Sequence, residues 1–131
     1  MTLYLLDTTV LIDLSKNIAS VRSQLRALFV AGDEFGVCAI NVAEFFAGLA
    51  PEERPRWERF IRDLRYWDIT PEAAMRAGSD RYFFARQGRT ISTQDSLVAA
   101  VAVTVGATIL TSNVKEFPLP EVTTRSQRTQ P

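Results

Sequence analysis

Three acidic residues far apart in the chain, Asp7, Glu44 and Asp95, each fall where an apolar stretch gives way to a helical pattern. Asp7 closes Leu3-Tyr4-Leu5-Leu6, Glu44 opens the run after Val37-Cys38-Ala39-Ile40, and Asp95 heads the apolar stretch from Leu97 to Val105. In a parallel α/β sheet such places lie along one edge, so the three carboxylates are expected to meet. Close neighbours of like charge repel by several kcal/mol, on the order expected at an effective dielectric of about 20, unless a cation or shared protons intervene. The chemistry this points to is metal-dependent hydrolysis.

The chain has no histidine. That removes Ser-His-Asp and Cys-His nucleophiles, an imidazole acid-base pair and histidine-ligated zinc. Oxygen donors alone favour magnesium or manganese, and magnesium takes only one or two carboxylates directly while keeping several waters. Near the acids, Thr111-Ser112-Asn113-Val114-Lys115-Glu116-Phe117 leaves the last predicted strand at the same edge. Asn113 could add a carbonyl ligand or hold a water, Glu116 could be a more distant carboxylate, and Thr9 and Thr111 bring hydroxyls beside Asp7 and Asn113. Each has a structural alternative: a turn residue for Asn113, a surface charge for Glu116, and backbone bonding for the threonines.

The acids have structural alternatives too. Asp7 could cap the helix from Thr8, Glu44 could complete a capping box with Asn41, and Asp95 could favour the positive end of its helix. Singly, those roles are the commoner ones. Together they do not require three helix starts on one sheet edge, whereas a shared cleft does.

The elements that must position these residues read as alternating strands and helices. Residues 2 to 6 form a buried strand, with helices predicted from Thr8 to Leu14 and from Ser20 to Ala31, and a turn at Gly32-Asp33. A second strand runs from Phe35 to Ala39, and Asn41 with Glu44 marks the start of the next helix. Pro51 opens an amphipathic helix placing Trp57, Phe60, Ile61 and Leu64 on one face. Tyr66 to Ile69 is a third strand candidate, Thr70-Pro71 starts a helix reaching about Gln87, and Ser92 or Thr93 caps one from about Gln94 to Val105. Gly106 ends it, and Ala107 to Thr111 is the fourth strand. The fold class is α/β, a three-layer sandwich with a central, mostly parallel sheet of four or five short strands flanked by helices.

At 131 residues the chain is expected to be one domain over 1–131, with a polar, frayed tail from about 123 to 131. Apolar residues make up 47% and charged residues 23%, and no apolar run approaches the roughly 20 residues that cross a bilayer. The start lacks the basic region of a secretory signal, and the lone Cys38 cannot form an internal disulfide, so a cytoplasmic location is expected. Net charge is zero, which excludes a whole-molecule basic field, but thirteen of the 15 basic residues are arginine, the side chain suited to bidentate phosphate contacts.

Four ordered blocks, Leu5 to Asp13, Asn41 to Phe45, Gln94 to Ala100 and Leu110 to Phe117, together resemble the PIN-domain family, and within it the VapC-type ribonuclease toxins of toxin-antitoxin modules. The resemblance covers nearly the whole chain. It implies that Asp7, Glu44 and Asp95 are the acidic metal-site residues, that Asn113 stands at a fourth position often occupied by aspartate, and that Thr9 matches a supporting hydroxyl. It further implies magnesium or manganese, an RNA substrate, a homodimer and a cognate antitoxin that would place a basic side chain near the acids. For an acidic cleft to hold RNA, nearby cations are needed, and Arg81, Arg86 and Arg89 are the candidates, with a solvated helix face as the alternative. Leu25, Leu28 and Phe29 are candidates for dimerisation or antitoxin contact, or for core packing. The alternatives in function are a phosphatase or nuclease of this kind outside a toxin-antitoxin system, and a non-catalytic protein-binding module.

Overall fold

The computed structural model describes residues 1–127. Five strands, β1 (Leu3–Leu6), β2 (Glu34–Cys38), β3 (Arg65–Trp67), β4 (Thr108–Thr111) and β5 (Thr124–Ser126), form one sheet in the order β3-β2-β1-β4-β5. Every pairing is parallel. The chain steps outward from β1 to β2 to β3, then crosses back to place β4 on the other side of β1. That reversal opens a crevice beyond the carboxyl ends of β1 and β4, the position at which open parallel sheets bind ligands.

Alternation along the strands sorts the core onto two faces. Leu5, Cys38 and Ile109 face one apolar cluster with α5 (Pro71–Arg86) and α6 (Thr93–Val105). Tyr4, Leu6, Val37 and Leu110 face the other, with α1 (Thr8–Ser15), α2 (Ala19–Val30), α3 (Ala39–Ala47) and α4 (Arg54–Arg62). The small residues Ala99, Ala100 and Ala102 are buried, which lets α6 lie close against its neighbours. Beside them, the Trp67 ring lies across Gly36, where a Cβ would stand 2.5 Å from the ring.

The predicted caps are present at two helices: the Thr70 hydroxyl accepts from Ala73 N, and that of Ser92 from Asp95 N. Gly106 takes the left-handed conformation that ends α6. Two expectations need correction. Asn41 does not start α3 with Glu44 as its box partner. The helix begins at Ala39 with Cys38 as the N-cap residue, and the Asn41 side-chain oxygen lies 3.4 Å from Cys38 N. Strand β2 therefore passes into helix without a loop, and Glu44 sits in the second turn.

The frayed tail expected from residue 123 is replaced, up to residue 127, by structure: β5 pairs with β4, and Gln127 is fully buried. A short edge strand of polar residues carries little apolar alternation, so composition pointed away from it. The rest of the expected tail, 128–131, lies outside the described residues. Among the described residues no helix is long and apolar enough to cross a membrane.

Candidate functional site

Asp7 stands at the carboxyl end of β1, beside β4, where the topology puts the crevice. It follows β1 directly, and its backbone N–H donates to Leu110 O at 3.0 Å, so the β1–β4 ladder continues up to the acid. The residue is only 8% exposed. The buried Thr111 hydroxyl, at the end of β4, donates to Asp7 Oδ2 at 2.7 Å and accepts from Asn113 N at 2.9 Å. On the other side the Asn41 amide donates to Asp7 Oδ1 at 3.4 Å. Burial raises the Asp7 pKa above its ordinary value, the bond from Thr111 and the Thr8 backbone oppose that rise, and the Glu44 charge adds to it.

Glu44 is exposed on α3 and accepts a 2.7 Å hydrogen bond from the Thr8 hydroxyl, which ties it to the first residue of α1 beside Asp7. Asp95, half-buried in the first turn of α6, likewise has a raised pKa. Burial is again the largest cause, the Ser92 hydroxyl opposes it, and Asp7, Glu116 and Glu44 all push it higher. Asp95 thus feels the charges of both other acids, and Asp7 that of Glu44. Glu116 joins them electrostatically from an exposed one-turn helix, and Asn113 caps that turn from an exposed position.

As the side chains lie, among the described residues no three His, Cys, Asp or Glu groups are drawn together tightly enough to hold a metal ion. The donor set fits a hard cation that keeps most of its waters. Such an ion needs one or two carboxylates, and Asp7 and Asp95 are carboxyls whose charged forms are disfavoured by burial and mutual repulsion, a penalty that a divalent ion would relieve.

The expected supporting hydroxyls are both at the site. Thr9 Oγ1 lies 3.4 Å from Asp7 Oδ2 and from Thr111 Oγ1, and accepts from Ser112 N at 3.1 Å. With one proton to give, Thr9 has its nearest acceptor in Gln127 Oε1 at 3.2 Å. The Gln127 amide nitrogen bonds the Asp13 carboxylate, which accepts only, so the amide oxygen must face Thr9. Asn41 bonds Asp7 and Gln127 bonds Thr9, and neither contact was expected from the sequence. A polar residue inside an apolar strand-helix junction was the available signal for Asn41, and nothing local marked Gln127.

Arg81, Arg86 and Arg89 are all exposed at the end of α5 and in the link to α6, the same end of the molecule as Asp95. Arg81 Nε donates to Ile91 O at 3.0 Å, Arg86 lies 4.1 Å over the Tyr82 ring and Arg89 4.8 Å over the Phe84 ring. Elsewhere, Leu28 is a core residue of the α2 face and Leu25 is partly buried, whereas Phe29 is 70% exposed. Phe29 and Leu25 line an apolar groove of about 570 Å³ with Leu14, Phe35, Phe60 and Leu64.

The chain matches a family profile described as the PIN domain over residues 4–118. It is 30% identical over 122 residues to Ribonuclease VapC2 of Haemophilus influenzae, covering 87% of this chain and 89% of that protein. It is 29% identical over 115 residues to Ribonuclease VapC19 of Mycobacterium tuberculosis, covering 88% and 92%. In three dimensions it superposes on a chain of the DNA-bound VapBC crystal structure from Salmonella typhimurium with a TM-score of 0.82 at 25% identity, covering 97% of this chain and 99% of the other.

Proposed function

This chain belongs to the PIN-domain family, and from that membership we propose that it is a divalent-cation-dependent endoribonuclease, the toxin of a toxin-antitoxin pair. The observation that carries the catalytic reading is the buried Asp7 carboxylate at the crevice between β1 and β4, charge-coupled to Glu44 and to Asp95. The two ribonucleases to which the chain is similar over most of its length support RNA as the substrate.

Asp7 and Asp95 are the residues that would hold the ion, directly or through water, with Glu44 either a third ligand or the group that orients the attacking water. Magnesium or manganese bound there would supply Lewis acidity toward the phosphodiester. Thr111 and Asn41 hold Asp7 in place, one at each carboxylate oxygen. Thr8 holds Glu44 toward the cleft. Asn113 stands at the cleft rim as a neutral fourth group, and Glu116 as an outlying charge. Because the cleft is acidic, the arginines at the α5–α6 end are the groups that would hold phosphate.

A cognate antitoxin is the protein partner, and the groove at Leu25 and Phe29 offers apolar surface of the kind that partner chains cover. The homodimer belongs to the same reading and is checked by sedimentation of the purified protein.

The test is cleavage of labelled RNA by purified protein with magnesium, with manganese and with chelator, set beside single-stranded DNA and a small phosphoester. Cation-dependent cleavage of RNA that disappears in the folded Asp7→Asn and Asp95→Asn variants is the expected result. Undiminished cleavage in either variant, or preference for the phosphoester, would overturn the assignment. No manganese binding by calorimetry would favour a module that acts only through its partner.

A further inference from the structure

A further concave site lies at the end of the molecule that carries Asp95. Between the last turns of α5 and the link to α6 is a cavity of about 320 Å³, at the small end of the range for ligand pockets, lined by residues that include Gly78, Arg81, Tyr82, Arg89, Thr90 and Ile91. No acidic residue lines it. Among the described residues neither Arg81 nor Arg89 pairs with a carboxylate. Arg81 spends only its Nε on Ile91 O, so its terminal nitrogens remain available. Tyr82 is 53% exposed, with an arginine stacked on its ring.

Gly78 is the least expected member of this set. It lies inside the 16-residue helix α5, where glycine is less stable than alanine, and its backbone is not left-handed. A Cβ built there meets no heavy atom within 4 Å. The fold therefore does not need glycine at this position. A larger side chain at a residue lining the cavity would occupy it.

Resting on the ribonuclease reading, we propose that this cavity is a nucleotide subsite. It seats one unpaired base of the RNA strand against Tyr82, with the adjoining phosphate between Arg81 and Arg89. An aromatic face beside unpaired arginines is the combination that binds single-stranded nucleic acid without sequence preference. Thr90 precedes Asp95 by five positions, so at most about 18 Å of extended chain separates them. A strand seated in the cavity reaches the acids within a few nucleotides. A second copy of this chain fits the cavity less well, because a two-fold contact there would bring arginines against arginines.

The experiment is fluorescence anisotropy of a labelled single-stranded oligoribonucleotide in chelator, which prevents cleavage, with KM for RNA measured separately in magnesium. Gly78→Leu is expected to raise the Tm while weakening RNA binding about tenfold and raising KM to match. Tyr82→Ala should weaken binding by about 5- to 150-fold, the range for loss of one stacked base. Arg89→Ala should lower the slope of log affinity against log salt by about 0.7. Unchanged affinity and KM in both Gly78→Leu and Tyr82→Ala would overturn the subsite while leaving the nuclease reading intact. Loss of affinity only because sedimentation shows a dimer becoming a monomer would assign the cavity to a second copy instead. Wild-type protein that binds RNA in a Tyr82-dependent way but never cuts it would sink the catalytic reading and keep the subsite.

Discussion

Replacing Thr111 by valine removes one hydroxyl from a fully buried position and keeps the branched shape of the side chain. That hydroxyl donates to Asp7 at 2.7 Å, so the variant loses a charge-assisted hydrogen bond and leaves Asn113 N without the acceptor it has at 2.9 Å. A bond to a charged group contributes about 1.5–3 kcal/mol, against about 0.5–1.5 kcal/mol for a neutral one. For 131 residues the unfolding entropy is about 0.28 kcal/mol per degree, so the Tm at neutral pH should fall by about 5–11 °C. The loss depends on the charge of Asp7. Its folded pKa is already raised by burial, and removing a bond that opposes the rise pushes it further. The penalty therefore grows as pH rises through the interval between the two folded pKa values, and at acid pH shrinks to that of a neutral bond. Thermal melts in chelator across the acid-to-neutral range, repeated in an Asp7→Asn background, measure this directly. A loss below about 2 °C at neutral pH, or one equally large when position 7 is asparagine, would refute the claim that Thr111 acts on the Asp7 carboxylate.

Without a cation, Asp7→Asn should melt higher than the parent at neutral pH, because it removes a buried charge repelled by Glu44. In the parent, three carboxyls with raised folded pKa values, Asp7, Asp95 and Asp80, make metal-free stability fall as pH rises above the ordinary value of 3.8 and through the folded pKa values, and a scan that rises instead would contradict the burial assigned to them. Manganese at about 100 times its Kd should recover about 2.7 kcal/mol of stability, read as a Tm increase of about 10 °C that Asp7→Asn lacks. Gly36→Ala should lower the Tm, since its Cβ would stand 2.5 Å from the Trp67 ring, and overpacking of this kind costs about 1–3 kcal/mol. An unchanged melt would mean that the ring moves freely. Gln127→Ala should reduce kcat with little change in KM, and that reduction should vanish in a Thr9→Val background if Gln127 works through the Thr9 hydroxyl.

Much of this molecule is written in local pattern. Apolar runs of strand length, the threonine and serine caps at Thr70 and Ser92, the left-handed Gly106 and the acids after β1 and in the first turn of α6 depend on chemistry within a few residues, which is why they can be read from the chain alone. The likeness of the four ordered blocks carried the family. What the pattern does not contain is which strands are neighbours. Thr111 reaches Asp7 across 104 positions because β4 lies beside β1, and Gln127 reaches Thr9 across 118 because a polar edge strand docks on β4. Asn41 shows the same division: its residue type and place near a helix start were legible, but its bond to Asp7 exists only because β2 and β1 share a register. Strand order and register are settled by burying both faces of the sheet at once, a property of the whole chain that no short window of it records.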